Sequence, residues 1–188
     1  MAAIVLELLP PSSASRNLGS GSRHLPDGVL HRAPVAPERV KALKERLSEA
    51  RDEEGCRSYA MLLIFLSTGM RVSELVGLKI TDFRRDDLGF FVSFYRPKRR
   101  DRHTIRLSLS SFVKIRRAII RYHRVAMIER HLRRHVFWSR KHRREGSRLS
   151  DQRTKLVARS VQRIVNSWSL MNGLGQFIAP HGLRHHVG

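Results

Sequence analysis

Five side chains in this sequence are of types that handle phosphate esters, and they fall in three short segments. TGMRVSEL (68–75) offers Arg71 and Glu74, RPKRRDR (96–102) offers Lys98, and HGLRHHVG (181–188) offers His181 and Arg184. Two guanidinium groups, an ammonium and an imidazole suit a site that grips a phosphodiester. Guanidinium matches the paired oxygens of phosphate, and imidazole moves protons near neutral pH. His181 and Arg184 are three residues apart, so on a helix they share a face and can address one ligand. The plainer reading is an exposed basic helix start. Arg71 stands three residues before Glu74, a good helical pairing distance. It either bridges structurally to that carboxylate or is held rigid so that its guanidinium meets a phosphate. His181 and His185, four apart, could clamp a metal. Two histidines without further ligands are a weak metal signal, however, and no metal is expected.

These residues need elements to position them. A helix is expected from Pro37, an acceptable first helical position, with Val40, Leu43 and Leu47 on one face. RSYAMLLIFLSTGM (57–70) is apolar nearly all round, which predicts a helix at the domain centre, ended by Gly69. A short helix carrying Val72, Leu75, Val76 and Leu78 follows. LGFFVSFY (88–95) and TIRLSL (104–109) are rich in β-branched and aromatic residues and predict a β-hairpin with a basic tip. Residues 110–132 return to helical spacing through Phe112, Ile115, Ile119 and Tyr122, with two serines fit to cap the start. VFWS (136–139) reads as a short strand and 139–148 as a basic loop. A helix after Ser150 is expected to carry Leu156, Val157, Val161, Ile164, Val165 and Trp168, and a final helix starts at Pro180. The fold class is therefore mainly α with a small antiparallel β-sheet. Residues 1–36, rich in Ser, Gly and Pro, read as a flexible N-terminal tail, and 37–188 as the folded domain.

Composition bounds the partner. The chain has 188 residues, 37 Lys plus Arg against 16 Asp plus Glu, and a net charge of +21. Arginine dominates the basic set. Such an imbalance points to a polyanion; a codon bias toward Arg is the bland account of the skew, but it leaves the shortage of acids unexplained. Arg96, Arg99, Arg100 and Arg102, around Lys98, read as a solvated turn that contacts DNA without regard to sequence. Charge alone does not single out a chemical residue among them. Cys56 is the one cysteine, which rules out a disulfide framework and a cysteine-based zinc site. The longest apolar run, AMLLIFL, is far short of the ~20 residues that span a bilayer, so no membrane partner is expected. The N-terminus is a poor signal peptide.

Taken jointly, these pieces resemble the catalytic domain of tyrosine recombinases, the phage-integrase family that includes the Xer recombinases. TGMRVSELVGLKITDF (68–83) is similar to the family's first-arginine box and HGLRH (181–185) to its His-x-x-Arg box, in the right order and with a lysine-bearing hairpin between them. VFWSR and RLSDQRTKLVARSVQRIV resemble the stretch that precedes the second box. The resemblance covers residues 37–188. It implies that Arg71 and Arg184 contact the scissile phosphate and stabilise its transition-state charge, and that Lys98 is the general acid for the leaving 5′ oxygen. His181 would assist proton transfer at the attacking hydroxyl, and Glu74 would orient neighbouring groups, the histidine included. The implied chemistry conserves bond energy in a covalent phosphotyrosine and uses no metal or cofactor. The implied partners are double-stranded DNA and other recombinase protomers, in a bacterial cytoplasm on the nucleoid.

Two departures from the family shape the expectation. The family's further His or Trp and its nucleophilic tyrosine lie downstream of the second box, where this sequence ends at Gly188. Its tyrosines are Tyr59, Tyr95 and Tyr122, all upstream. The family's N-terminal clamping domain also has no counterpart in residues 1–36. The expectation is a recombinase domain clipped at both ends, inactive by itself, with apolar surface exposed around Trp168 and Phe177. A non-catalytic DNA-binding protein and a basic RNA-binding protein are the competing functions.

Overall fold

The computed structural model describes residues 35–129, 134–139, 154–170 and Leu183. Helix α1 (Pro37–Glu49) starts with proline in its first turn, where a missing N–H costs nothing, and it buries Val40, Leu43 and Leu47. Helix α2 (Glu53–Thr68) begins one turn earlier than its apolar run predicts. The Asp52 carboxylate accepts from the Gly55 amide, and Glu53 and Glu54 occupy the first turn, where the helix dipole favours anions. Residues Ala60–Phe65 of α2 are all buried. The helix ends at Gly69, whose φ of 57° is the left-handed conformation that glycine adopts freely. Helix α3 (Val72–Leu75) is a single turn, so Val76 and Leu78 lie beyond it, and a 3-10 turn follows at Ile80–Asp82.

Three antiparallel strands come next: β1 (Phe83–Asp86), β2 (Gly89–Arg96) and β3 (Asp101–Leu107), in that order across the sheet. The hairpin of β2 and β3 is the one that composition predicts, but its ladder runs further, to the pair Arg96↔Asp101. Only Pro97–Arg100 form the turn. Arg96 and Arg102 are therefore strand residues, and a tip of four arginines is corrected to Lys98, Arg99 and Arg100. The sequence pattern misses β1 because it is an edge strand: Phe83 alone is buried, and Arg84, Arg85 and Asp86 face solvent.

Helix α4 (Leu109–Val125) is capped by Ser108, whose hydroxyl accepts from the Ser111 amide at 3.1 Å; Ser110 and Ser111 lie inside the helix. It buries Phe112, Ile115, Ile119 and Tyr122 as the spacing predicts, but it ends at Val125 rather than near 132, with Met127 at φ 48°. Strand β4 (Trp138–Ser139) pairs with β5 (Thr154–Lys155), and a bridge between Lys79 and His135 ties this segment to the start of the 3-10 turn after α3. Helix α5 starts only at Ala158 and runs to Ser167; Leu156 is buried ahead of it, and Val157 is an exposed N-cap residue. Trp168 itself is 4% exposed, against the expectation of exposed apolar surface at that position. The N-terminal tail to residue 34, the basic loop at 140–148, Phe177 and the final helix lie outside the described residues, Leu183 excepted.

The core gathers on α2, which packs between α1 and α4 and reaches the sheet through β3. Arg121 of α4 links the layers, donating to the carbonyls of Ser48 and Ala50 at the C-terminal end of α1. Leu183 is fully buried in this core. Among the described residues no helix is long and apolar enough to cross a membrane, and no three His, Cys, Asp or Glu side chains cluster as a metal site would require.

Candidate phosphate-binding cleft

The C-terminal end of α2, the start of α3 and the inward face of the sheet enclose an open cleft of about 150 Å3. Thr68, Gly69, Met70, Arg71, Glu74, Phe94, Arg96, Arg99, His103 and Ile105 line it. Its back wall is shaped by the helix ending. The Thr68 hydroxyl donates to the Ile64 carbonyl at 2.7 Å and accepts from the Met70 amide at 3.3 Å, and Gly69 turns the chain so that Arg71 opens α3.

Arg71 and Glu74 are joined twice. The Arg71 amide donates to Glu74 Oε2 at 2.6 Å, and Arg71 Nη1 donates to Oε1 at 3.0 Å. Glu74 is 3% exposed, while the Arg71 side chain keeps 40% of its surface. Of the two readings of the pair, the structural bridge is the one observed. The bridge is real, and it uses one edge of the guanidinium while the rest stays open to the cleft. A buried carboxylate needs such partners, and its three-residue offset from Arg71 is what supplies them.

From the sheet side, Arg96 enters the cleft already paired. Its Nε donates to Asp101 Oδ1 at 2.8 Å and its Nη2 to Asp101 Oδ2. The hydrogen bond from Arg96 holds the Asp101 carboxyl below the usual carboxylate range. This clasp closes the base of the Pro97–Arg100 turn. Arg99 lines the cleft from that turn. Lys98 is exposed beside it and is not among the lining residues. Arg102 points to the opposite face of the sheet, where it donates to Asp82 Oδ1 at 2.7 Å and to the Ser93 carbonyl at 3.1 Å. The structure thus brings Arg71, Glu74, Arg96 and Arg99 together, leaves Lys98 and Arg100 on the turn, and pairs Arg102 with Asp82 on the other face. His181 and Arg184 lie outside the described residues.

Sequence reasoning missed His103. Its ring packs edge-on against Phe94, with centroids 5.6 Å apart and planes at 80°. The signal was strand alternation: His103 stands two residues before Ile105 and four before Leu107, on the face that turns inward. It was masked by the run of charges around it. Asp101, also unremarked, was legible only as a partner once the register was known.

The phage integrase family model matches residues 35–188. Among solved structures, the chain is similar to the crystal structure of XerA recombinase, with a TM-score of 0.56 and 20% identity over 81% of this chain and 47% of that one. XerH site-specific recombinase bound to difH substrate, in a pre-cleavage complex, gives a TM-score of 0.55 and 15% identity over 83% of this chain and 42% of that one. The Tn1549 transposon integrase in complex with transposon right-end DNA gives 0.54 and 16%, over 86% and 54%. The chain spans about half the length of these structures, and at such identities the likeness carries the fold. No curated protein matches the sequence.

Proposed function

The chain belongs to the phage integrase family, and from that premise we propose that it is a DNA-binding domain of site-specific recombination or integration. Its fold is that of tyrosine-recombinase catalytic domains. One observation carries the reading: Arg71 is anchored by the buried Glu74 while its free edge faces a cleft shared with Arg96 and Arg99. A rigid guanidinium in a cationic cleft is what stabilising charge on a phosphodiester requires, because the donors are already in place when the charge develops. In this reading Arg71 and Arg184 hold the scissile phosphate, Lys98 protonates the leaving oxygen from the hairpin turn, and His181 moves the proton of the attacking hydroxyl. Two of the solved relatives are bound to their own DNA substrates, which supports duplex DNA as the partner here.

Helix α5 supports a reading of sequence as well as backbone. Its apolar side buries Val161 and Val165, and its exposed side presents Arg159, Gln162, Arg163 and Asn166. Arginine pairs with guanine edges, and glutamine or asparagine with adenine edges, in the major groove.

The placement of the three tyrosines supports a reading in which none of them is the nucleophile. Tyr122 is fully buried with its hydroxyl against the Trp138 backbone, and Tyr59 packs against the core. Tyr95 lies on the sheet face away from the cleft, opposite Arg102. The proposal is accordingly that this 188-residue chain binds DNA but forms no covalent link to it unaided. Recombinase relatives' target sites, in labelled duplexes, provide the test. Arg71→Ala and Arg184→Ala should each weaken binding about tenfold, about 1.4 kcal/mol, and more than the control Arg144→Ala in the basic stretch 139–148. No adduct should survive denaturation. Equal losses from all three variants would favour a generic basic DNA- or RNA-binding protein, and a denaturation-resistant adduct would overturn the inactivity.

A further inference from the structure

The proposed reading gives the proton-handling imidazole to His181, yet a different histidine, His103, lines the cleft. His103 is half-buried on β3, and Phe94, its partner in the ladder, fixes the tilt of its ring. Among the described residues neither ring nitrogen has a hydrogen-bond partner. The charged groups around it come from three directions: Arg71 and Glu74 from α3, Arg96 from β2, and Arg99 from the turn. Its own strand adds Asp101 and Arg102. The acids are spoken for: Glu74 by Arg71, and Asp101 by Arg96. Arg102 is engaged with Asp82 on the other face of the sheet. Among the described residues, the groups left open toward the cleft are Arg99, His103 and the outer edge of Arg71. All can donate and none carries a negative charge, so the occupant that completes them is an oxyanion.

We propose that His103 binds a phosphodiester oxygen in this cleft, together with Arg99 and Arg71, and does so as the imidazolium. Anion binding is then coupled to proton uptake at His103. The inference rests on reading the cleft as a phosphate site and adds to it a ligand that none of the three sequence motifs contains. The coupling is reciprocal: an anion beside the ring favours its protonation, and protonation tightens the grip on the anion.

The test uses the full chain, with histidine side chains followed by NMR between pH 5 and 8 in sodium sulfate or in sodium chloride of matched ionic strength. Sulfate stays doubly charged over this range, and His103→Gln identifies the resonance. Sulfate should raise the titration midpoint of His103 by about one unit, a tenfold coupling, and Arg99→Ala should abolish the rise. An equal midpoint in both salts, or a rise that survives Arg99→Ala, would sink the idea. Duplex affinity supplies the second arm. It should strengthen from pH 7.5 to 6 in the parent more than in His103→Phe, which keeps an aromatic ring against Phe94 without the titrating group. If sulfate couples to His103 while the chain binds no duplex, the anion site stands and the DNA reading fails. If duplex binding depends on Arg71 but both chains respond alike to pH, the DNA reading stands and the role of His103 is refuted.

Discussion

Glu74 sits at the residue-scale centre of the cleft. It accepts from the Arg71 amide and the Arg71 guanidinium while buried, so it caps α3 and aims the arginine at once. Glu74→Gln keeps the shape but loses the charge that strengthens both bonds. Urea denaturation should show a loss of about 2 kcal/mol, the scale of a hydrogen bond to a charged group. His135 makes a pH prediction. Burial, with Lys155, Lys79 and Arg134 close by, holds it below the ordinary histidine range. A histidine whose folded-state pKa is depressed contributes stability that is full above its unfolded value, about 6.5, and is lost as pH falls through the folded value. Melting temperature should therefore drop between pH 7 and 5 by more in the parent than in His135→Gln; parallel curves would contradict this. Arg71, Glu74 and their bridge were legible from three-residue spacing, because a helical offset is local. The companions of Arg71 in the cleft were not, because Arg96, Arg99 and His103 reach it only through the register of β2 and β3.

Elements carry the positions of these residues. Helix α4 is tied to the end of α1 by Arg121, which donates to Ser48 O at 2.7 Å and also to Ala50 O. These carbonyls lie at a helix C-terminus, where they lack helical partners and the dipole is negative. Arg121→Leu should cost about 2 kcal/mol in equilibrium denaturation, with the cleft's anion affinity unchanged because the link lies at the far end of α2. Helix α5 predicts a separation of effects. Gln162→Ala and Asn166→Ala remove groups suited to base edges but no charge. They should narrow the difference in affinity between preferred and random duplexes while leaving the salt dependence intact; a changed salt slope would assign them to the backbone instead.

At the scale of the whole molecule, a net charge of +21 makes binding to any nucleic acid steeply salt-dependent. Each phosphate neutralised contributes about −0.9 to the slope of log K against log salt on duplex DNA. Arg99→Ala should reduce that slope by about 0.9, whereas Arg102→Ala should leave it nearly unchanged, because Arg102 is bound to Asp82 on the opposite face. Anisotropy titrations from 50 to 300 mM salt, a range of about 0.8 in log units that suits such slopes, would separate the two. Equal reductions would mean that ion-paired and open arginines count alike.

The sequence by itself determined the class of the fold and pointed to a polyanion as the class of partner. Helical and strand periodicities, the glycine stop at Gly69 and the ordered boxes at Arg71 and His181 are local patterns, and local patterns follow from backbone geometry and burial. Net charge is a sum and needs no fold. Tertiary structure decided where each arginine lies and which partner it takes. Arg96, Arg99 and Arg102 look alike in a basic run, but ladder register sends Arg96 to an ion pair inside the cleft and Arg102 to the opposite face of the sheet, and the turn between the strands sets Arg99 at the cleft's open rim. It also set His103 in one cleft with Arg71, 32 positions apart in the numbering, because a strand's alternation fixes which side chains turn inward and only packing against α2 and α3 fixes what they meet there.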